Sequence, residues 1–394
     1  MFSLMISVRL QTNQAPLDLE QVLFQQLIQS YKVLMDTFDT ELNKELETYI
    51  CHEIFSDMLS DLEVYGRENG ISWARRRLSF SNLKSTRSKI IRKISEETVT
   101  AYPLNLDVKN LTLQKIRKIT SNEEQINKLS IKYVFNPSTL CSDNDTYLLV
   151  LIKSNVRHHH LRYTLRKTWV KEVYSTIPKA KVAFLLGYSF RERLLVWSEN
   201  RTYGDIIQGD FIDAYRNNTY KTVMSYKWAA EQCSGARFVF SVDDDMFVNV
   251  KLTKQFLNSI NETIESDLFS GMIVPLGRPA REEQSPWYIS KKDYPYLIYP
   301  QYLAGCAMFL SQNVVQKINM IFPYVKYLPF DDVLLGIVAN KLGIRLHSNE
   351  FLNNVHINNV TLLHKMIANH GFRDDEFLRK TYYTFTSSIH LDTL

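Results

Sequence analysis

The chain has 394 residues, 45% hydrophobic and 12% aromatic, with only 12 glycines and 11 prolines. This excludes a collagen-like or low-complexity polymer and provides for a sizeable core; the length fits one large domain with an appendage, or two domains. A formal charge of +5 is small for this size and does not call for a nucleic-acid partner.

The opening "MFSLMISVRLQTNQAP" is apolar only to Leu10 and contains Arg9. It is shorter than the roughly 20 apolar residues needed to span a bilayer and lacks the basic start and cleavage site of a signal peptide, so an ordinary N-terminus is expected. From 15 to 66, Leu, Val, Ile and Phe recur at spacings of three and four, predicting helix. Residues 73–95 are strongly basic and read more readily as a solvated face or linker than as an anionic-surface patch. Residues 1–135 are thus expected to form a helical, basic extension without a motif of chemical meaning. The four cysteines, Cys51, Cys141, Cys233 and Cys306, include no C-x-x-C pair, which leaves structural zinc unsupported and disulfides open. Acceptor triplets for N-glycosylation begin at Asn110, Asn144, Asn200, Asn217, Asn261 and Asn359.

The character changes at Asn136-Pro137. "TYLLVLIKS" (146–154), "AKVAFLLG" (180–187) and "ARFVFSVDDD" (236–245) are apolar runs of strand length, with helical spacing between them over 158–174 and 216–232. Buried strands alternating with helices predict a parallel sheet with helical crossovers. "DLFSGMIV" (267–274) and "QYLAGCAMFLS" (301–311) predict further strands, and "DDVLLGIVANKLGI" (331–344) predicts a helix entered through carboxylates. Residues 136–394 are expected to be the catalytic domain.

Asp243, Asp244 and Asp245 follow one of the buried runs directly. Ligands of an open parallel sheet gather at the carboxyl ends of its strands, and adjacent buried carboxylates repel unless a cation joins them. Hard oxygen ligands suit Mn²⁺ or Mg²⁺ shared with a phosphate substrate. In an extended chain Asp243 and Asp245 would point one way and Asp244 the other. The alternative is a solvated acidic turn, which the apolar flanks disfavour.

The surrounding blocks carry a resemblance. "RYTLRKTW" (162–169), "FLLG" (184–187), "YGDIIQGDFIDAYRNNTYKTVMSYKW" (203–228), "ARFVFSVDDDMFVN" (236–249), "YPQYLAGCAMFLS" (299–311) and "FDDVLLGIVANKLGI" (330–344) occur in the order of the corresponding motifs of glycosyltransferase family 31. This is the β-1,3-galactosyltransferase / β-1,3-N-acetylglucosaminyltransferase family. From Cys141 to about residue 385 the chain resembles it, with departures: Ala304-Gly305 where the family has two glycines, Pro286 where a Lys precedes the tryptophan, and Asp331 where the family has Glu.

The resemblance implies a GT-A fold, a Rossmann-like mixed sheet flanked by helices, and inverting, metal-dependent transfer of a sugar, galactose first, from a UDP-sugar to a glycan acceptor. It implies Mn²⁺ (or Mg²⁺) on Asp245, with Asp243 beside it and His370 as the second ligand, His364 being the runner-up. Asp332 takes the family position of the base, with adjacent Asp331 as its rival. Arg162, Arg166, Asp205, Lys221, Asp243 and Asp244 are the expected donor contacts, Arg162 and Arg166 either forking onto phosphate or ordering the uridine loop. Trp287, Tyr288 and Gly305 are expected at the acceptor; Trp169 and Trp228 are as readily core. The family is Golgi-anchored and lumenal, so a Cys141–Cys233 disulfide and Golgi membrane association are expected, with a glycoprotein or glycolipid acceptor and no nucleic acid. Alternatives are a β-1,3-N-acetylglucosaminyltransferase, a non-catalytic carbohydrate-binding member, or a metal-dependent phosphoryl-transfer or nuclease site; the last lacks a P-loop and further spaced acids.

Overall fold

The computed structural model describes residues 106–391, apart from 121, 128–130, 276, 297–298 and 358. The helix expected over 15–66, the basic stretch 73–95 and Cys51 lie outside these residues. The strands are β1 (Tyr133–Phe135), β2 (Leu148–Lys153), β3 (Ala180–Tyr188), β4 (Ile206–Ile212), β5 (Phe238–Asp243), β6 (Met246–Val248), β7 (Phe269–Val274), β8 (Tyr302–Ser311), β9 (His347–Ser348), β10 (Leu352–Asn353) and β11 (Ala368–His370). The main sheet runs β1-β4-β3-β2-β5-β8-β7-β9 and a small one β10-β11-β6. Strands β4, β3, β2 and β5 are parallel, whereas β8 runs antiparallel to both β5 and β7. The sheet is therefore mixed.

Every residue of β2 is buried because both faces of the sheet are covered. Successive side chains alternate. Leu148, Val150 and Ile152 enter one core cluster with Leu161, Leu165 and Trp169 from the helices His159–Lys167 and Trp169–Thr176. Leu149 and Leu151 enter the other, with Trp228, Val314 and Leu334 from the helices Asn218–Gln232, Gln312–Ile321 and Asp331–Leu342. Trp169 and Trp228 are thus core residues; the Trp169 indole donates to the Met246 carbonyl at 3.1 Å.

Strand β4 was not anticipated, since "IIQGDFI" mixes polar residues into its apolar run. The helix Val108–Ile116 and β1 also belong to this body, although the expected boundary put both in the extension. Val108 and Leu111 are buried in the second cluster, and β1 pairs with β4. Cys141 and Cys233 are joined as a disulfide, their Cα atoms 5.2 Å apart. Cys306 is a free thiol.

The helix Asp331–Leu342 begins after extended Phe330 and ends at Gly343, whose φ of 71° suits glycine. It lies against β8 so closely that a Cβ on Gly336 would meet Tyr302 Cβ at 2.4 Å and the Gln301 carbonyl at 2.7 Å. That approach carries the helix's acidic first turn to the carboxyl ends of β2 and β5.

Candidate active site

A cavity of about 470 Å³ opens at this sheet end, with Asp243, Asp332, Gly305, Trp287 and His370 in its wall. The aspartate triplet straddles a boundary. Asp243 is the last residue of β5, while Asp244 and Asp245 form the turn into β6. Simple strand alternation therefore does not apply beyond Asp243, and the three carboxylates take three different partners.

Asp243 stands in register beside Lys153 of β2, and the Lys153 ammonium lies 3.2 Å from its Oδ1. A third of the Asp243 side chain stays open to the cavity. Burial, opposed by Lys153 but assisted by Asp245 and Asp331, pushes its carboxyl up to about 7. Asp244 turns inward, its Oδ2 accepting from Ser154 Oγ at 2.6 Å and meeting His158 Nδ1 at 2.8 Å. Its role is to hold the turn rather than to face the cavity. Asp245 Oδ2 lies 3.2 Å from His370 Nε2 and 3.2 Å from Arg373 Nε. Burial raises its carboxyl, but His370 and Arg373 outweigh burial and hold it low. Its other oxygen is buried without a hydrogen-bond partner.

His370 reaches Asp245 through the small sheet. It pairs with Met246 across β11 and β6, and the Asp245 carbonyl accepts from the backbone N–H groups of Gly371 and Phe372 at 3.0 and 2.8 Å. The runner-up, His364, lies elsewhere, stacked on Phe385 and within 2.8 Å of Ser388 Oγ. Among the described residues no group of three or more His, Cys, Asp or Glu side chains is arranged to hold a metal ion. The orphaned Asp245 oxygen, the adjacent His370 nitrogen and the Asp243 carboxyl raised by burial nevertheless fit a hard divalent cation whose remaining ligands come from a substrate.

The neighbouring acids of the helix differ sharply. Asp331 is buried, accepting from Lys153 Nζ at 2.8 Å and Thr222 Oγ1 at 2.6 Å. Burial raises its carboxyl, but the Lys153 ammonium prevails and holds it low. Asp332 faces the cavity. One of its oxygens accepts from the Val333 N–H at 2.8 Å; the other lies 3.5 Å from where a Cβ on Gly305 would sit. Burial and the Asp331 charge push its carboxyl up to about 6. Lys153, which also donates to the Gly305 carbonyl at 3.0 Å, ties β5, β8 and this helix together. Sequence reasoning passed over it because one lysine ending an apolar run looks like the end of a strand.

Arg162 and Arg166 do not reach the cavity. Arg162 is fully buried and its guanidinium is saturated by Glu199, Ser154, the Asn155 and Val156 carbonyls and His159. Arg166 forks onto Asp205 at 2.8 and 2.7 Å, bonds Glu199 at 2.8 Å and stacks between Phe184 and Tyr203. Arg162 orders the segment that follows β2, whereas Arg166 ties its helix to Glu199 and Asp205, which accept from it. Lys221 donates to the Ser154 carbonyl at 2.7 Å and to Asp213 at 3.1 Å. Arg162, Arg166 and Asp205 thus form an internal ion network with Glu199, the arrangement expected of arginines that order a loop.

On the acceptor side, Trp287 is 60% exposed and its indole donates to Tyr215 Oη at 2.9 Å. Gly305 lines the cavity; Tyr288 flanks it, its carbonyl accepting from Arg216 at 3.1 Å. Tyr215, Tyr299, Tyr302 and Arg278 also line this wall; the three tyrosines lie in the blocks that carry the resemblance but were not singled out, and Arg278 lies outside those blocks.

A family model described as galactosyltransferase matches residues 160–350. Beta-1,3-galactosyltransferase 5 of Gorilla gorilla gorilla is 34% identical over 221 residues, covering 56% of this chain and 74% of that protein. Beta-1,3-galactosyltransferase brn of Drosophila melanogaster is 34% identical over 244 residues, covering 61% and 74%. The human UDP-GalNAc:beta-1,3-N-acetylgalactosaminyltransferase 1 is 29% identical over 265 residues, covering 65% and 79%. Among solved structures, a glycosyltransferase involved in glycosylation of the major capsid of PBCV-1 aligns over 60% of this chain and 99% of that chain, at 12% identity and a TM-score of 0.35.

Proposed function

The chain belongs to the β-1,3-galactosyltransferase family of glycosyltransferases, and from that premise we propose that it transfers galactose from UDP-galactose to a glycan hydroxyl in β-1,3 linkage with inversion. The observation that carries the reading is the pairing, in one cavity, of Asp332 with the Asp243–His370 wall. A carboxylate raised to about 6 is poised to accept a proton near neutral pH. Asp332 takes the proton of the acceptor hydroxyl as its oxygen forms the new bond to the anomeric carbon and the bond to UDP breaks on the opposite face. Asp331 and Lys153 fix the helix turn that aims Asp332. Trp287 and Tyr215 offer an aromatic wall to the acceptor sugar.

Asp245 and His370 would hold Mn²⁺ or Mg²⁺, with Asp243 beside them. Bound there, the ion supplies Lewis-acid neutralisation of the charge developing on departing UDP. Two relatives named galactosyltransferases favour galactose, while the relative named for UDP-GalNAc keeps N-acetylgalactosamine as the second reading. The disulfide supports an oxidising, lumenal compartment, the Golgi by family habit; no helix among the described residues is long and apolar enough to cross a membrane.

The test is UDP release from UDP-galactose, UDP-N-acetylgalactosamine and UDP-N-acetylglucosamine, with Mn²⁺ or with chelator, against galactose-, N-acetylgalactosamine- and N-acetylglucosamine-terminated acceptors. Fastest release from UDP-galactose, lost in chelator and in Asp245→Asn, is expected. Faster turnover of another donor overturns the sugar assignment. Full activity in chelator overturns the metal, and UDP binding without turnover on any acceptor makes the chain a binding protein.

A further inference from the structure

Resting on the transfer reaction above, we propose that Arg373 is a further donor contact, its guanidinium holding the diphosphate of UDP as that group departs. Arg373 Nε lies 3.2 Å from Asp245 Oδ2, the same oxygen that His370 Nε2 approaches at 3.2 Å. His370 stands in the cavity wall, so the guanidinium sits at the cavity's edge, beside the pair proposed to hold the cation. Among the described residues this Nε contact is the hydrogen bond it makes. The side chain is 78% exposed, which leaves its terminal nitrogen pair open to a ligand.

The backbone fixes where this side chain stands. Gly371 takes a φ of 105°, and its N–H and that of Phe372 donate to the Asp245 carbonyl at 3.0 and 2.8 Å. Phe372 is fully buried and stacks on Phe377. On the other side Asp374 Oδ1 accepts from the Phe377 N–H at 2.7 Å, at the start of the helix Asp375–Leu391. Arg373 is thus an exposed residue between two anchors. An exposed ion pair adds little to stability, so pairing with Asp245 alone does not account for a guanidinium held in this place. Other basic groups near the donor end are occupied within the fold. Lys153 serves Asp243, Asp331 and the Gly305 carbonyl. Lys221 serves Asp213 and the Ser154 carbonyl, and Arg162 and Arg166 serve Glu199.

A terminal guanidinium pair suits two phosphate oxygens in a bidentate fork. In the transfer, the bond that breaks joins the anomeric carbon to a β-phosphate oxygen, which keeps the electron pair, while the acceptor's proton passes to Asp332. Negative charge therefore grows on the diphosphate beside Asp245 and His370. A donor already aimed at developing charge stabilises it most. Arg373 supplies such a donor on the solvent side of the proposed cation.

The experiment is calorimetric titration of the full chain with UDP in Mn²⁺, and with uridine as a competitor, for the unaltered chain, Arg373→Ala and Arg373→Lys. Arg373→Ala should weaken UDP by about tenfold or more, the worth of a hydrogen bond to a charged group, and leave uridine and the melting temperature unchanged. Arg373→Lys should recover part of the loss, since an ammonium keeps the charge but not the fork. UDP affinity unchanged in Arg373→Ala overturns the proposal and leaves the transfer reaction standing. A loss equal for UDP and uridine also overturns it, since Arg373 would then only shape the loop around Asp245. So does a loss of UDP affinity in Arg278→Ala that Arg373→Ala does not share. An unaltered chain that binds no UDP overturns the transfer reaction and this contact together.

Discussion

Asp331 and Asp332 are adjacent in sequence and opposite in chemistry. Asp332 presents the cavity with a carboxyl held near 6 by burial and by its neighbour's charge. Asp332→Asn should cut transfer by about 10²–10⁴-fold, the usual worth of a general base, with UDP affinity by calorimetry nearly unchanged. A base works ionised, and a raised pKa keeps it protonated further up the scale. Transfer should therefore rise with pH through about 6 and level off above, read as log(kcat/KM) against pH. Asp331 is the buried counter-ion of Lys153. Replacing it leaves the buried ammonium with Asp243 as its remaining counter-charge, so Asp331→Asn should destabilise by about 1–3 kcal/mol in denaturant unfolding, more than the loss of a helix-terminal charge would cost. Lys153→Met should restore part of that stability in the Asp331→Asn background. The acid doublet was legible in the sequence; which member is neutralised was not, because the deciding lysine stands on a strand far away in the chain.

At the scale of elements, the site depends on how closely the helix Asp331–Leu342 lies on β8. Gly336→Ala puts a methyl group into Tyr302 Cβ and the Gln301 carbonyl. The helix must move outward and Asp332 with it. A stability loss of about 1–3 kcal/mol is expected, the range for overpacking, together with a fall in kcat; unchanged thermal unfolding would show that the two elements separate freely. Strands β2, β3 and β5 were legible as uninterrupted apolar runs because both faces of the sheet are covered. The short β6, β10 and β11 were not, since two or three residues carry no period. For Arg162 and Arg166 the motif was legible and their use was not. A guanidinium suits phosphate and carboxylate alike, and Glu199 and Asp205 claim them.

On the scale of the whole molecule, the Cys141–Cys233 disulfide closes a loop spanning β2, β3 and β4, with a sequence separation of 92. Reduction, or a Cys141→Ser/Cys233→Ser double variant, should cost about 4–5 kcal/mol in the chain-entropy account, measured by guanidinium unfolding with and without reductant. The small sheet has a consequence of another kind. Asp245 is in the middle of the described body, but the histidine beside it arrives on β11, almost the last element made. A ribosome can release the whole nucleotide half of the sheet for folding before residue 370 exists. Until then Asp245 has no His370, and on the proposed metal site a chain ending before residue 370 should release no UDP in the transfer assay, however well its main sheet has formed. The proposed metal site therefore waits on the final strand of the fold.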